Sequence, residues 1–382
     1  MSFAFRGSIL LSTFLLVSAC GGSDSGVAMD GGASDAPIVI PDAAFTDTGA
    51  FVPGDVITAT DRTWTWIDFP NTQCMNGSAT GLGVYLNPDS DKVIIYLDGG
   101  GACFNDATCA SVANPNGYNA SSFAAPGSGV FNESDEDNPF RGWNKVFVPY
   151  CTGDIYAGAN PSGFNGNAYM GYVNMGEYMN RLVPTFGSSS LVVLSGSSAG
   201  GFGASYNYDR TQQAFGDTPV YLLNDSAPLF SADYLKPCLQ EILRTTWNLD
   251  ATLPDDCTEC FASGGMSNFL PFLTTKYPDR RFGLVSSTRD STIRYFYGFG
   301  FSEMCDVSAS FTGTEYTEAL EQLRDVTLAG HDNFNTYYIS SAQHVWFFDS
   351  LGTVDSGASN TTLAAWLSSW VDSNMTVTNV AP

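Results

Sequence analysis

Six short, almost unbroken apolar runs constrain this chain more than any other feature: residues 92–97, 145–148, 191–194, 220–223, 282–285 and 337–339. Each has the length of a strand and is rich in Val, Ile, Leu, Phe or Tyr, without the polar alternation of a half-solvated strand. Strands of that kind need cover on both faces, which a parallel sheet between two layers of helices provides. Helical periodicity fills several of the gaps, at 170–182, 202–208, 316–328 and 363–371, and Gly330 stands where the third would stop. The alternation predicts an α/β fold, a mostly parallel sheet flanked by helices. Residues 229–277 read as an insertion that carries three cysteines.

The third run continues as Leu194-Ser195-Gly196-Ser197-Ser198-Ala199-Gly200-Gly201 before helix-like residues take over. A G-x-S-x-G between strand and helix has the context of a nucleophile elbow, a strained turn that presents a serine hydroxyl at the end of the sheet. Small neighbours are required because larger ones would strike the adjoining strand and helix. Ser198 is therefore the candidate nucleophile, and the N–H of Ala199 points to where an oxyanion would form.

A serine hydroxyl is a weak nucleophile until a base takes its proton. The chain has two histidines, His331 and His344. His331 follows a predicted helix and its glycine stop, whereas His344 lies just past the strand at 337–339, at the end where α/β proteins gather their sites. His344 is the better placed. A carboxylate must then hold the imidazole. Asp290, beyond the strand at 282–285, completes the chain order Ser, Asp, His of α/β hydrolases, with Asp225 at the end of 220–223 as its rival. Oxyanion donors are offered by Asp98-Gly99-Gly100-Gly101-Ala102-Cys103, where glycines let backbone amides approach a substrate. That loop has neither the G-K-[ST] ending nor the G-x-G-x-x-G pattern of phosphate-binding loops.

These segments, with Tyr150-Cys151-Thr152-Gly153-Asp154, Ser287-Thr288-Arg289-Asp290 and Gln343-His344, resemble the pectinacetylesterase family over about residues 64–348. The resemblance implies an α/β-hydrolase-like fold and a serine carboxylic-ester hydrolase that needs no metal or other cofactor. Carried over by position, it implies Ser198 as nucleophile, Asp290 as orienting acid and His344 as base, with Gly100, Gly101 and Ala199 as oxyanion donors. Family members often have an aromatic residue where this chain has Gly101, a departure that alters the pocket near the acyl group. The implied substrate is an acetylated polysaccharide such as pectin.

Charge qualifies that substrate. A net charge of −24 opposes nucleic acid, an anionic membrane surface and polygalacturonate alike, unless Lys and Arg gather at the cleft. Neutral acetylated glycans stay open, as do hydrophobic esters or polyesters met by aromatics such as Phe104, Tyr295 and Trp346. A reading of another class is a surface lipoprotein that binds glycans on a hydrolase scaffold without turnover.

At the N-terminus, Arg6, the apolar stretch through Val17, and Val17-Ser18-Ala19-Cys20 resemble a bacterial lipoprotein signal, in which residues 1–19 are removed and Cys20 is lipidated. Residues 20–57, rich in Gly, Ser, Ala and Asp, read as a flexible tether to a single catalytic domain at 58–382. The expectation is an exported monomer at the cell envelope that meets the membrane through its lipid alone. Eight further cysteines, Cys74, Cys103, Cys109, Cys151, Cys238, Cys257, Cys260 and Cys305, form an even set that reads as four disulfides of open pairing. Cys103 with Cys109 is the natural local loop, and Cys257-Thr258-Glu259-Cys260 lacks the second ligand pair that zinc would need.

Overall fold

The computed structural model describes residues 51–382. The expected signal sequence, Cys20 and the expected tether as far as residue 50 lie outside the described residues. One sheet holds β1 (Thr65–Phe69), β2 (Thr80–Tyr85), β3 (Lys92–Leu97), β4 (Asn144–Val148), β5 (Leu191–Ser197), β6 (Val220–Asp225), β7 (Phe282–Ser287) and β8 (Phe334–Ile339). Their order is β1-β2-β4-β3-β5-β6-β7-β8. Pairing is parallel from β4 to β8, and β1 and β2 add antiparallel at one edge.

The predicted runs are the six parallel strands, and their unbroken apolarity has a direct cause. Along β3, Val93, Ile95 and Leu97 enter one core while Ile94 and Tyr96 enter the other. Every residue of β5 and β6 is buried. Each large side chain so buried contributes about 1.5–3 kcal/mol. The edge pair β1 and β2 was not predicted. β1 fully buries one residue, Phe69, and Gly81 and Gly83 interrupt β2, so neither has the signature of a two-faced strand.

The helices are α1 (Asp106–Cys109), α2 (Gly171–Phe186), α3 (Ala199–Phe215), α4 (Pro237–Trp247), α5 (Phe269–Lys276), α6 (Ser291–Gly298), α7 (Gly313–Gln322) and α8 (Leu363–Val371). α2, α3, α4, α5 and α7 contribute to the first core, and Trp366 and Trp370 of α8 to the second. α3 starts at Ala199, earlier than the periodicity predicts, because β5 turns directly into it. α7 stops at Gln322 and widens into a π turn over Leu323–Thr327, so the pattern predicted to reach 328 is not one α-helix. Among the described residues no helix is long and apolar enough to cross a membrane.

The eight cysteines pair as Cys74–Cys151, Cys103–Cys109, Cys238–Cys305 and Cys257–Cys260. Cys238–Cys305 staples α4 to the segment after α6, which matters below because α4 walls a cavity. Leu97, Ser197, Asp225, Ser287 and Ile339 end their strands at the same edge of the sheet, and the loops that leave them build the site.

Candidate active site

Ser198 is the single residue between β5 and α3, held at φ +57° and ψ −124°. A non-glycine residue in that region stores about 1–3 kcal/mol of backbone strain. Two glycines make the turn possible: a Cβ on Gly200 would lie 1.9 Å from Leu97 O, and one on Gly196 would lie 2.3 Å from Gly200 O. The Ser198 N–H donates to Asp225 O at 2.8 Å, which pins the turn to β6. Ala199 opens α3, so its N–H has no intrahelical partner.

Asp290 follows β7 and caps α6. Its Oδ1 accepts from the Thr292 and Ile293 N–H groups, each at 2.9 Å, and its Oδ2 accepts from His344 Nδ1 at 2.7 Å. The carboxylate is fully buried, so a helix start and an imidazole share one desolvated acceptor. Holding Nδ1–H leaves Nε2 as the free basic nitrogen. His344 Nε2 is buried and has no hydrogen-bond partner among the described residues. The Ser198–His344 hydrogen bond is thus not formed in this structure, a common state of such sites without substrate.

Asp225 does not meet His344. Its Oδ2 accepts from Ser197 Oγ at 2.5 Å and from the Trp346 and Phe347 N–H groups at 2.8 and 3.1 Å, while Oδ1 accepts from Ser226 Oγ at 2.9 Å. Ser226 Oγ in turn accepts from the Val345 N–H at 3.2 Å. Burial raises the Asp225 carboxyl above its usual range, against the pull of those donors. The rival acid therefore ties the nucleophile turn to the loop carrying His344. Sequence spacing offers no signal for this, because the donors are backbone groups far along the chain.

His331 lies before β8, at the opposite end of the strand from His344, with Nδ1 2.8 Å from Thr274 Oγ1. Trp346 is a core residue whose indole N–H donates to Ser287 Oγ at 3.1 Å, and it lines neither cavity at Ser198. Tyr295 packs on Phe296 and Phe299, is 42% exposed, and lines neither cavity either. Phe104 does line one.

The Gly-rich loop after β3 lies against the serine, since a Cβ on Gly99 would be 3.0 Å from Ser198 Cβ. Gly101 has φ +84°, and Ser111 O would stand 2.8 Å from a Cβ there, so a side chain at this position would be strained and would need the loop to shift. Cys103–Cys109 and the bond from Cys103 N to Gly153 O hold the loop. Asp98, at the loop's start, is pushed up to about 6 by burial.

Two cavities meet at Ser198. One, with a cavity volume of about 60 Å³, runs along α3 past Phe202 and Tyr206 and is closed by Phe104, Leu239 and Trp247 among other apolar residues. The other, with a cavity volume of about 360 Å³, is lined by Asp98, the three glycines, Ser111, Thr292, His344, Phe296, Val345 and Phe348. Neither lining contains a Lys or Arg. Four residues of the apolar wall, Leu235, Leu239, Leu243 and Trp247, recur at intervals of four along and just before α4. That spacing was present in the sequence as an amphipathic signal inside 229–277, yet α4 was not predicted.

A mostly parallel sheet carrying a strained serine after β5, a buried aspartate after β7 and a histidine after β8 has the architecture of the α/β-hydrolase-like proteins. A profile of the pectinacetylesterase family matches residues 65–378, and the chain belongs to that family. Curated relatives include palmitoleoyl-protein carboxylesterase notum2 of Xenopus laevis, 31% identical over 50% of this chain and 44% of the relative. The mouse palmitoleoyl-protein carboxylesterase NOTUM is 34% identical over 37% of this chain and 29% of its own length. These alignments cover less than half of either relative. In fold, the chain is similar to a crystal structure of the Wnt deacylase Notum from Drosophila, with a TM-score of 0.62 and 20% identity over 84% of this chain and 96% of that one.

Proposed function

We propose that this protein is a serine carboxylic-ester hydrolase whose acyl group enters the apolar cavity along α3 and whose alcohol leaves through the cleft that His344 lines. The observation that carries the reading is Ser198 at the junction of the two cavities, with His344, held by Asp290 at 2.7 Å, lining the second. In the first step His344 Nε2 takes the Ser198 Oγ proton as Oγ bonds to the ester carbonyl carbon. The oxyanion is received by the N–H groups of Ala199, Gly100 and Gly101. His344 then returns the proton to the alcohol oxygen as the C–O bond breaks, so the alcohol must lie on the His344 side and the acyl chain on the other. A water molecule, deprotonated by the same nitrogen, releases the acid and restores Ser198.

A carbon-lined cavity that runs along α3 from Ser198 past Phe202 to Tyr206 suits an acyl group longer than acetyl. The names of the curated relatives, palmitoleoyl-protein carboxylesterases, point the same way. An acetylated polysaccharide is the second reading, favoured by the family name. Within it, the acidic chain and a cleft without Lys or Arg favour a neutral glycan over pectin. Four disulfides favour an oxidising, extracytoplasmic location, which accords with export and lipidation at Cys20. A glycan-binding lipoprotein without turnover would not need an unpartnered imidazole nitrogen beside a strained serine.

A fluorophosphonate probe tests the enzyme reading. Wild type should label at Ser198 and S198A should not, H344A should label far more slowly, and H331A should label like wild type. Absence of labelling in folded wild type, under conditions that label a known serine esterase, would reject it.

A further inference from the structure

Among the described residues, three line both cavities at the active site: Ser198 itself, Gly101 and Phe296. An acyl group bonded to Ser198 therefore passes between Gly101 and Phe296 where it leaves the cleft for the apolar cavity. The Gly101 side of that doorway is backbone alone, and φ +84° with Ser111 O close by keeps it so. The Phe296 side is a phenyl ring on α6, half-buried, packed on the first core and on Tyr295 with ring centroids 5.3 Å apart. Beside the nucleophile, Phe296 is thus the side chain that sets the width of the passage. Its helix begins at Asp290, whose Oδ1 accepts the Thr292 and Ile293 N–H groups while Oδ2 holds His344. The ring is therefore carried by the same helix start that orients the base.

Beyond the doorway the cavity is narrow. It follows α3 from Ser198 to Tyr206, about 12 Å at the helical rise per residue, yet its volume is about 60 Å³. That volume spread along that length admits a single file of atoms. The walls have little freedom to widen: Phe104 packs edge-on against both Trp247 and Phe299, and the Trp247 indole N–H is tied to Cys103 O at 2.8 Å. A close-packed wall takes an extra methyl group only by displacing its neighbours. Resting on the esterase reading above, we propose that Phe296 is a specificity-determining residue that favours esters of straight-chain acids over those branched beside the carbonyl. A polymethylene chain threads between the ring and the Gly101 backbone, whereas a substituent on the carbon next to the carbonyl has to share the doorway with the ring.

The test compares p-nitrophenyl hexanoate with its isomer p-nitrophenyl 2-methylpentanoate in wild type and Phe296→Ala, each rate taken relative to hydroxide hydrolysis of the same ester. The two acyl groups contain the same atoms, so the comparison reads shape. Wild type should favour the straight chain about tenfold or more in kcat/KM, and F296A should raise kcat/KM for the branched ester about tenfold. A branched-ester rate that does not rise overturns the proposal. That includes the case in which the straight ester alone slows, as loss of a merely supporting side chain would give. A wild type without preference overturns it too. Should F296A fold poorly, Phe296→Leu decides, with a rise of about threefold for the branched ester expected and no rise counting against the proposal. Failure of the esterase reading looks different: wild type would then hydrolyse neither ester and no fluorophosphonate would attach to Ser198.

Discussion

The two cavities at Ser198 differ in wall chemistry and in how they are built. The acyl-side cavity is carbon almost throughout, and its walls come from α3, the disulfide-stapled α4, the segment before α5, and α6. The alcohol-side cleft is made by strand-end loops and carries Asp98, Ser111, Thr292 and His344. Apolar burial discriminates by length and shape, at about 0.8 kcal/mol per methylene. A cleft of glycines and a few hydroxyls positions a leaving group without demanding much of it. Under the proposed ester chemistry, the asymmetry assigns specificity chiefly to the acyl side and proton transfer to the side that His344 lines.

The largest effect expected is on the chemistry common to both sides. S198A should lower kcat by about 10⁴-fold or more, and D290A and H344A by about 10³–10⁴-fold, in a steady-state assay with any accepted ester. Filling the acyl side should separate the two regions. Leu239→Trp should shift the kcat/KM ratio of octanoyl to acetyl ester downward by about tenfold or more, since a second indole would occupy the space of several methylenes. If the ratio stayed put, the acyl chain would lie elsewhere. D225N should come next: an amide cannot accept all four donors that meet Asp225, so the His344 loop loosens. We expect kcat to fall about 10–100-fold with KM changed less than about threefold, as for a lost positioning contact. The smallest effect concerns Asp98 on the alcohol side. Its folded value of about 6 stands above the unfolded carboxyl value, so its stabilising contribution is complete below about pH 4 and is lost as pH rises through 6. Wild-type melting temperature should therefore drop by a few degrees more than that of D98N between pH 4 and pH 7.

Much of this comparison was legible in the sequence, but unevenly. The parallel strands announced themselves because burial on both faces leaves no polar alternation to confuse. Ser198 was legible because Gly196 and Gly200 are sterically compelled, and His344 because only one of two histidines follows a strand. Asp225 shows the limit: as a residue at a strand end it looked like an orienting acid, and only three-dimensional placement turns its carboxylate toward Trp346 and Phe347 N–H groups. Trp346 shows the same limit in reverse, since proximity to His344 in the chain suggested substrate contact while its side chain serves the core. The acyl wall was hidden for a different reason. Cysteines and turn residues dominate 229–277, and the four-residue spacing of Leu235, Leu239, Leu243 and Trp247 becomes meaningful once α3 is known to lie opposite.

The central claim, a nucleophilic serine between an apolar acyl cavity and an alcohol cleft lined by His344, is tested most directly by kcat/KM across p-nitrophenyl acetate, butyrate, hexanoate and octanoate. The account predicts a rise of at least about tenfold from acetate to octanoate, approaching about fourfold per methylene where the chain is fully buried. A maximum at acetate, with a steady decline toward octanoate, would contradict it.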